Sequence, residues 1–375
     1  MTIVRLPAKD GWNDHRLGSK AAVSAPVGFR AQSRVCFAAA HVVAGERPDA
    51  IDWEGTLAYR HHLWSLGLGV ADAMDTAQRG MGLSSTQVRE LITRSAAEAP
   101  PHARLACGIN TDELDGGDHD LDDVVRSYIV QLEFVEAAGS DVVMMASRAL
   151  AAVATTSDDY ANVYQRVLSQ ASRPVILHWL GPMFDPRLTG YWGSTDPGTA
   201  LAVLLQIIED NADVVDGVKV SMLDADLERD LRRRLPTGVR CYTGDDFNYP
   251  DLILGDDTHH SDALLGIFDG IAPVAAAALQ ALDRDEVERY HQLLAPTVPL
   301  SRHIFSAPTY HYKTGLVFLA YLRGHHDRFR MLDGQETARS MDHLGEIVRL
   351  ADAAGLFTDP DDVARRATAV FMGAD

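Results

Sequence analysis

Val214-Val215-Asp216-Gly217-Val218-Lys219-Val220-Ser221 is an apolar run with a lysine close to its end. Read as a β-strand, it puts Val218 and Val220 on one face and Lys219 with Ser221 on the other. The valine face suits a covering of helices, and the lysine then projects into the inside of a barrel. Seven more runs of the same kind surround it: 34–40, 69–74, 104–110, 141–146, 174–179, 239–243 and 263–268. Most are near-continuous Val, Ile, Leu, Ala and Cys, the pattern of parallel strands covered by helices.

Between the runs lie helix-like stretches at 53–66, 85–97, 121–138, 158–171, 198–212 and 224–235, and an irregular link at 246–262 with room for a shorter helix. Eight strands alternating with helices over about 250 residues predict an α/β fold of the (β/α)8 TIM-barrel kind. No G-x-G-x-x-G follows the first strand and no P-loop occurs, which weakens a nucleotide-binding alternative. Five helical stretches after the last strand predict a C-terminal helical extension. The expected organisation is an N-terminal arm or hairpin (1–33), the barrel (34–282) and the extension (283–375).

The chain has 375 residues and a formal charge of −19. That charge disfavours nucleic acid, whose affinity rests on clustered Lys and Arg, and equally an anionic membrane surface. A small molecule or a sister subunit, giving a homo-oligomer, is the expected partner. Cys36, Cys107 and Cys241 each sit in an apolar stretch with no C-x-x-C pair, as reduced core cysteines do. No signal-peptide pattern opens the chain, and its most apolar long stretch, 263–282, is interrupted by Asp269, so a cytoplasmic location is expected.

Active sites of such barrels lie at the C-terminal ends of the strands. This selects His41 after the first run, Asp75 and Thr76 after the second, Asn110 at the third, Ser147 and Arg148 after the fourth, and His178 at the fifth. Lys219 and Ser221 end the sixth, Asp245 and Asp246 follow the seventh, and Asp269 follows the eighth. Lys219 stands apart, because Lys9, Lys20, Lys219 and Lys313 are the only lysines in the chain. An ammonium buried in a barrel loses basicity, and the neutral amine attacks carbonyls. The plainer alternative is a structural lysine ion-paired with Asp75 or Asp245. His178 is equally readable as a hydrogen-bonded core histidine.

Several segments together resemble the dihydrodipicolinate synthase and N-acetylneuraminate lyase superfamily of class I aldolases. Asp216-Gly217-Val218-Lys219 is similar to its G-I-K strand, and Tyr242-Thr243-Gly244-Asp245-Asp246 to its S-G-D-D segment. Pro174-Val175-Ile176-Leu177 with Arg187-Leu188-Thr189-Gly190 resembles P-V-I-L-Y-N-x-P-x-R-T-G, and Ala307-Pro308 with Lys313 resembles P-x-x-x-K. Strings such as Ala38-Ala39-Ala40-His41-Val42-Val43 and Asp75-Thr76-Ala77-Gln78-Arg79-Gly80 set it in a separate branch. The resemblance implies a Schiff-base lysine at Lys219.

The departures matter as much. The family's G-T-T-G-E loop, which binds a 2-oxo acid carboxylate, reads Met74-Asp75-Thr76-Ala77-Gln78. Asp75 there repels a carboxylate and suits hydroxyl groups. The family's tyrosine after the fourth strand has no counterpart in Met144-Met145-Ala146-Ser147-Arg148. The leading expectation is therefore a lyase of aldolase or dehydratase type acting on a small carbonyl compound, sugar-derived ones among the candidates, without cofactor or metal. Lys219, Asp75 and His178 are the catalytic candidates; Thr76, His41, Asn110, Ser147, Arg148 and Asp245 are candidates for substrate binding. Two alternatives stand beside it. One is a metal-dependent sugar isomerase or class II aldolase using His41, Asp75, His178 and Asp245. The other is a non-catalytic small-molecule-binding barrel.

Overall fold

The computed structural model describes residues 2–18, 20–26, 28–114 and 118–373. An antiparallel hairpin, β1 (Ile3–Ala8) and β2 (Gly11–Arg16), precedes eight further strands. These are β3 (Cys36–Ala39), β4 (Gly69–Asp72), β5 (Leu105–Ile109), β6 (Asp141–Met144), β7 (Val175–Leu180), β8 (Val215–Ser221), β9 (Arg240–Thr243) and β10 (Asp262–Leu265). They pair in chain order, all parallel, and β10 closes on β3, so the sheet is a (β/α)8 barrel.

Every expected strand forms, starting within two residues of its reading. The eighth differs most: its ladder stops at Leu265, and Ile267 opens the helix Ile267–Asp283. The apolar run continues unbroken across that boundary, and apolarity alone does not separate a buried strand from a buried helix. Asp269 consequently lies in the first turn of a helix rather than at a strand end.

Alternation along the strands builds two cores. Phe37, Ala39, Ala71, Ala106, Val143, Ile176, Tyr242 and Leu264 pack together inside the barrel. Their strand neighbours, among them Ala38, Val70, Cys107, Val142, Leu177, Val218 and Val220, join the large core between sheet and helices. Val218 and Val220 therefore face outward, and Lys219 and Ser221 inward. The three cysteines are buried and unpaired in that outer core.

Helices follow from their caps as well as their apolar faces. Ser84 and Gln87 form a capping box at the helix Ser85–Glu98, and Asp120 with Asp123 does the same for Leu121–Ala137. In the C-terminal part the helix Tyr312–Leu322 is buried along its whole length, surrounded by Thr297–Ile304, Met341–Ala353 and Pro360–Met372. Thr297–Ile304 was not expected from the sequence; it is only eight residues long and carries Pro299 in its first turn. The hairpin docks on Met341–Ala353 so closely that a Cβ on Gly345 would lie 2.4 Å from the Pro7 carbonyl oxygen. Among the described residues no helix is long and apolar enough to cross a membrane.

One buried ion pair locks the barrel to its first helix, Trp53–Ser65. Arg60 reaches Asp72 at the end of β4 through two nitrogens (2.8 and 3.1 Å), and its third caps the His41 and Thr56 carbonyls. Asp72 also accepts from Ser95 and from the Ala73 N–H. Both side chains of the pair are fully buried. Arg60→Met leaves Asp72 charged and unpaired in the interior, and denaturant titration should register a loss of about 3–5 kcal/mol.

Candidate active site

Lys219 projects into the barrel from β8 with His178 of β7 on one side and Tyr242 of β9 on the other, paired with it in register. It is only 7 % exposed. Among the described residues no hydrogen bond or ion pair reaches its amine. Burial lowers its pKa, against the opposing influence of Asp75 and then Asp246. The space it occupies depends on a glycine: a Cβ on Gly244 would stand 2.9 Å from Lys219 Cε and collide with Ser221 Oγ.

The groups around it come from four strand ends. His178 Nε2 lies 3.1 Å from Ser221 Oγ, while its buried Nδ1 has no partner among the described residues. Burial, with Lys219 nearby, pushes this imidazole well below the usual histidine value, so it is neutral. Asp246, after β9, is buried and accepts the Ile267 N–H at 2.8 Å; burial pushes its carboxyl up to about 7. Thr76, after β4, shares a 2.8 Å hydrogen bond with the Tyr312 hydroxyl. Asp75 beside it acts electrostatically on Lys219, Tyr312 and Lys313 alike. Lys313 is buried too, donates to the Tyr310 carbonyl at 3.0 Å, and is pushed down to about 8 by burial. Lys9 and Lys20 are exposed, so the two buried lysines of the chain are the two that Asp75 acts on.

Of the nine sequence-selected residues, Lys219, Asp75, His178 and Thr76 are brought together. Arg148 lies over the same mouth, bonded to Asp185 through its Nε and acting electrostatically on Lys313. The others are engaged elsewhere. His41 Nδ1 meets Asp269 at 2.7 Å and its Nε2 meets His326 Nε2 at 2.7 Å, a buried Asp–His–His chain. Asp245 accepts from the Phe247 and Asn248 N–H groups and from the Asn248 amide, holding its own turn. Ser147 caps the helix Arg148–Val153, and Asn110 accepts the Thr111 N–H. His41 and Asp245 are thus held by partners of their own and do not join Asp75 and His178 in one cluster. Among the described residues no group of three or more His, Cys, Asp or Glu is placed to hold a metal ion. Tyr312 is the residue that sequence reading missed, and Asp246, selected as a strand-end residue, was not carried into the catalytic or binding candidates. Asp246 was visible as the second carboxylate of Thr243-Gly244-Asp245-Asp246; nothing local to Tyr312 marked it.

The family model described as protein of unknown function (DUF993) matches residues 4–374. The chain belongs to that family. No curated protein matches it in sequence. Among solved structures, dihydrodipicolinate synthase from Aquifex aeolicus superposes with TM-score 0.64 at 12 % identity, covering 86 % of this chain and 98 % of its own. The enzyme from Bacteroides thetaiotaomicron gives 0.62 at 16 %, covering 86 % and 99 %. YagE of E. coli K12, a prophage protein of the dihydrodipicolinic acid synthase family solved with pyruvate, gives 0.63 at 14 %, covering 90 % and 98 %. The fold of this DUF993 chain is thus that of the dihydrodipicolinate synthase family.

Behind the site of this DUF993 barrel, Glu228 is fully buried and accepts from Thr243 (3.0 Å) and Ser261 (2.7 Å). Burial pushes its carboxyl up to about 8, from an ordinary 4.5. The folded chain therefore holds a proton that the unfolded chain releases, and stability falls as pH rises from 4.5 towards 8. Glu228→Gln should melt at a higher temperature than the parent at pH 8, with the gap closing below pH 4.5 in a calorimetric pH series.

Proposed function

We propose that this protein is a Schiff-base lyase of the aldolase or dehydratase class, acting on a small carbonyl compound through Lys219. The observation that carries the reading is an inward-facing lysine near the C-terminal end of a barrel strand, its amine depressed by burial and without a hydrogen-bond partner among the described residues. The carboxyl of Asp246, raised by burial towards neutrality, is suited to take the ammonium proton and to return it. The free amine then adds to the substrate carbonyl. Loss of water gives an iminium whose nitrogen draws electrons from the adjacent carbon, the electron sink for breaking a C–C or C–O bond. His178, neutral and with Nδ1 unpartnered, is a candidate to accept a proton from substrate.

Asp75 shapes the choice of substrate. A carboxylate on the loop after β4 repels a substrate carboxylate and accepts hydrogen bonds from hydroxyls, which favours a polyol- or sugar-derived carbonyl compound over a 2-oxo acid. Two like charges about 4 Å apart near a protein surface repel by about 4 kcal/mol. Asp75→Thr should therefore bind pyruvate at least about tenfold more tightly than the parent in calorimetric titration. Tight pyruvate binding to the unaltered chain would contradict this role for Asp75.

The reading as a whole is tested by borohydride reduction in the presence of aldehydes, keto sugars and keto acids, followed by peptide mass mapping. A reduced adduct is expected on the peptide carrying Lys219. Lys219→Ala should lose the adduct and all turnover while keeping the parent's melting temperature. Lys219→Arg should fail as completely, since a guanidinium stays protonated and forms no imine. An adduct on Lys313 or Lys20 instead, or full turnover in Lys219→Ala, would overturn the assignment.

A further inference from the structure

We infer that the Tyr312 hydroxyl, delivered to the barrel mouth by the C-terminal helices, is the proton-transfer group for imine formation at Lys219. The inference rests on the Lys219 reading and adds to it a residue from outside the barrel.

The placement of the ring is the first ground. Tyr312 OH lies 2.8 Å from Thr76 Oγ1, on the loop after β4. The ring meets Phe184, on the loop after β7, edge-on with centroids 5.9 Å apart. A Cβ on Gly266, directly after β10, would come within 3.4 Å of Tyr312 Cε2. Strands β4, β7 and β10 are spaced nearly evenly around the closed barrel. A side chain touching the loops after all three therefore lies across the middle of the mouth, above the interior into which Lys219 points. Phe305 stacks on the ring at 4.4 Å and 15°.

The chemistry of the phenol is the second ground. Tyr312 is buried and its hydroxyl has one partner among the described residues, Thr76, leaving capacity for a substrate oxygen. Burial, and after it the charge of Asp75, holds its pKa well above the ordinary tyrosine value, so it meets substrate as a proton donor. The same Asp75 acts on Lys219, which sets hydroxyl and amine around one carboxylate.

The step balances without a further reactant. Lys219 gives its ammonium proton to Asp246, and the free amine adds to the carbonyl carbon, leaving an alkoxide and a positively charged nitrogen. Tyr312 gives its proton to the alkoxide, and the phenolate takes one from the nitrogen, producing the neutral carbinolamine. Asp246 returns its proton to the hydroxyl, water leaves, and the nitrogen lone pair closes the C=N bond. The sum is ammonium plus carbonyl giving iminium plus water. Thr76 holds the phenol in place and is a positioning residue.

The test uses the full-length protein and acetylacetone, which condenses with a nucleophilic lysine to an enaminone followed by its near-ultraviolet absorbance and mapped by mass. In the parent chain the enaminone should form on Lys219. Tyr312→Phe keeps the ring and its stacking, so the melting temperature should hold while enaminone formation slows about 100-fold, the lower range for general acid–base catalysis. Thr76→Ser should keep the parent rate, and Thr76→Val should fall between. Phe305→Leu removes the stacking partner but spares the hydroxyl, and should react within a few-fold of the parent. If Tyr312→Phe reacts as fast as the parent, or Phe305→Leu slows as much as Tyr312→Phe, the proton-transfer role is wrong while the Lys219 reading stands. If the parent forms no adduct on Lys219, the Lys219 reading falls, and this inference with it.

Discussion

An amine held inside a barrel has to be compensated from within, and the arrangement around Lys219 follows from that constraint. Its strand neighbours offer an imidazole that burial keeps neutral and a tyrosine ring. The negative charge comes instead from two strand ends, Asp75 after β4 and Asp246 after β9. Asp246 is held by the N–H of Ile267 at the start of the last barrel helix, and its backbone carbonyl accepts from Ser301 in the C-terminal helices. Gln78, three residues past Asp75, bonds the backbone of Leu332 in both directions. The extension thus holds both loops that carry the compensating charge, and supplies Tyr312 and Lys313 directly.

This arrangement explains how the barrel and the mouth diverge. At 12–16 % identity the chain keeps the fold of the dihydrodipicolinate synthase family over most of its length. A (β/α)8 barrel tolerates such change because inward, outward and strand-end positions carry separate demands. The inner wall needs only side chains whose volumes together fill it, from Ala71 and Ala106 to Phe37 and Tyr242. The strand ends carry the site, and a fold shared at this distance does not fix what the site does.

The fold was legible because it is written in local pattern: eight apolar runs, seven of them clearly separated by helical stretches, and a lysine whose parity could be read directly. The boundary of β10 was not legible, since a buried strand running into a buried helix leaves no change in pattern. The candidate site was legible where a residue sits on a strand or in the loop directly after it, as with Lys219, His178, Asp75 and Thr76. It failed where the deciding partner is far along the chain. Asp245 and Asp246 are adjacent carboxylates, and only the turn at Asn248 and the helix start at Ile267 separate their roles. His41 depends on Asp269 and His326, and Tyr312 on Thr76, 236 residues earlier. Arg60, inside a helix, gave no sign that it would be buried against Asp72.

The central claim is that the Lys219 amine is a buried base of lowered pKa. Competitive labelling with trace acetic anhydride across a pH series measures it directly, because the chain has only four lysines and each peptide is resolved by mass. Restricted access of the reagent slows the reaction at every pH but does not move its midpoint. The account predicts that Lys219 becomes reactive with a midpoint clearly below 10.5, its ordinary value, and that Asp246→Asn lowers that midpoint further by removing a negative neighbour. A Lys219 midpoint at or above that ordinary 10.5 would contradict it.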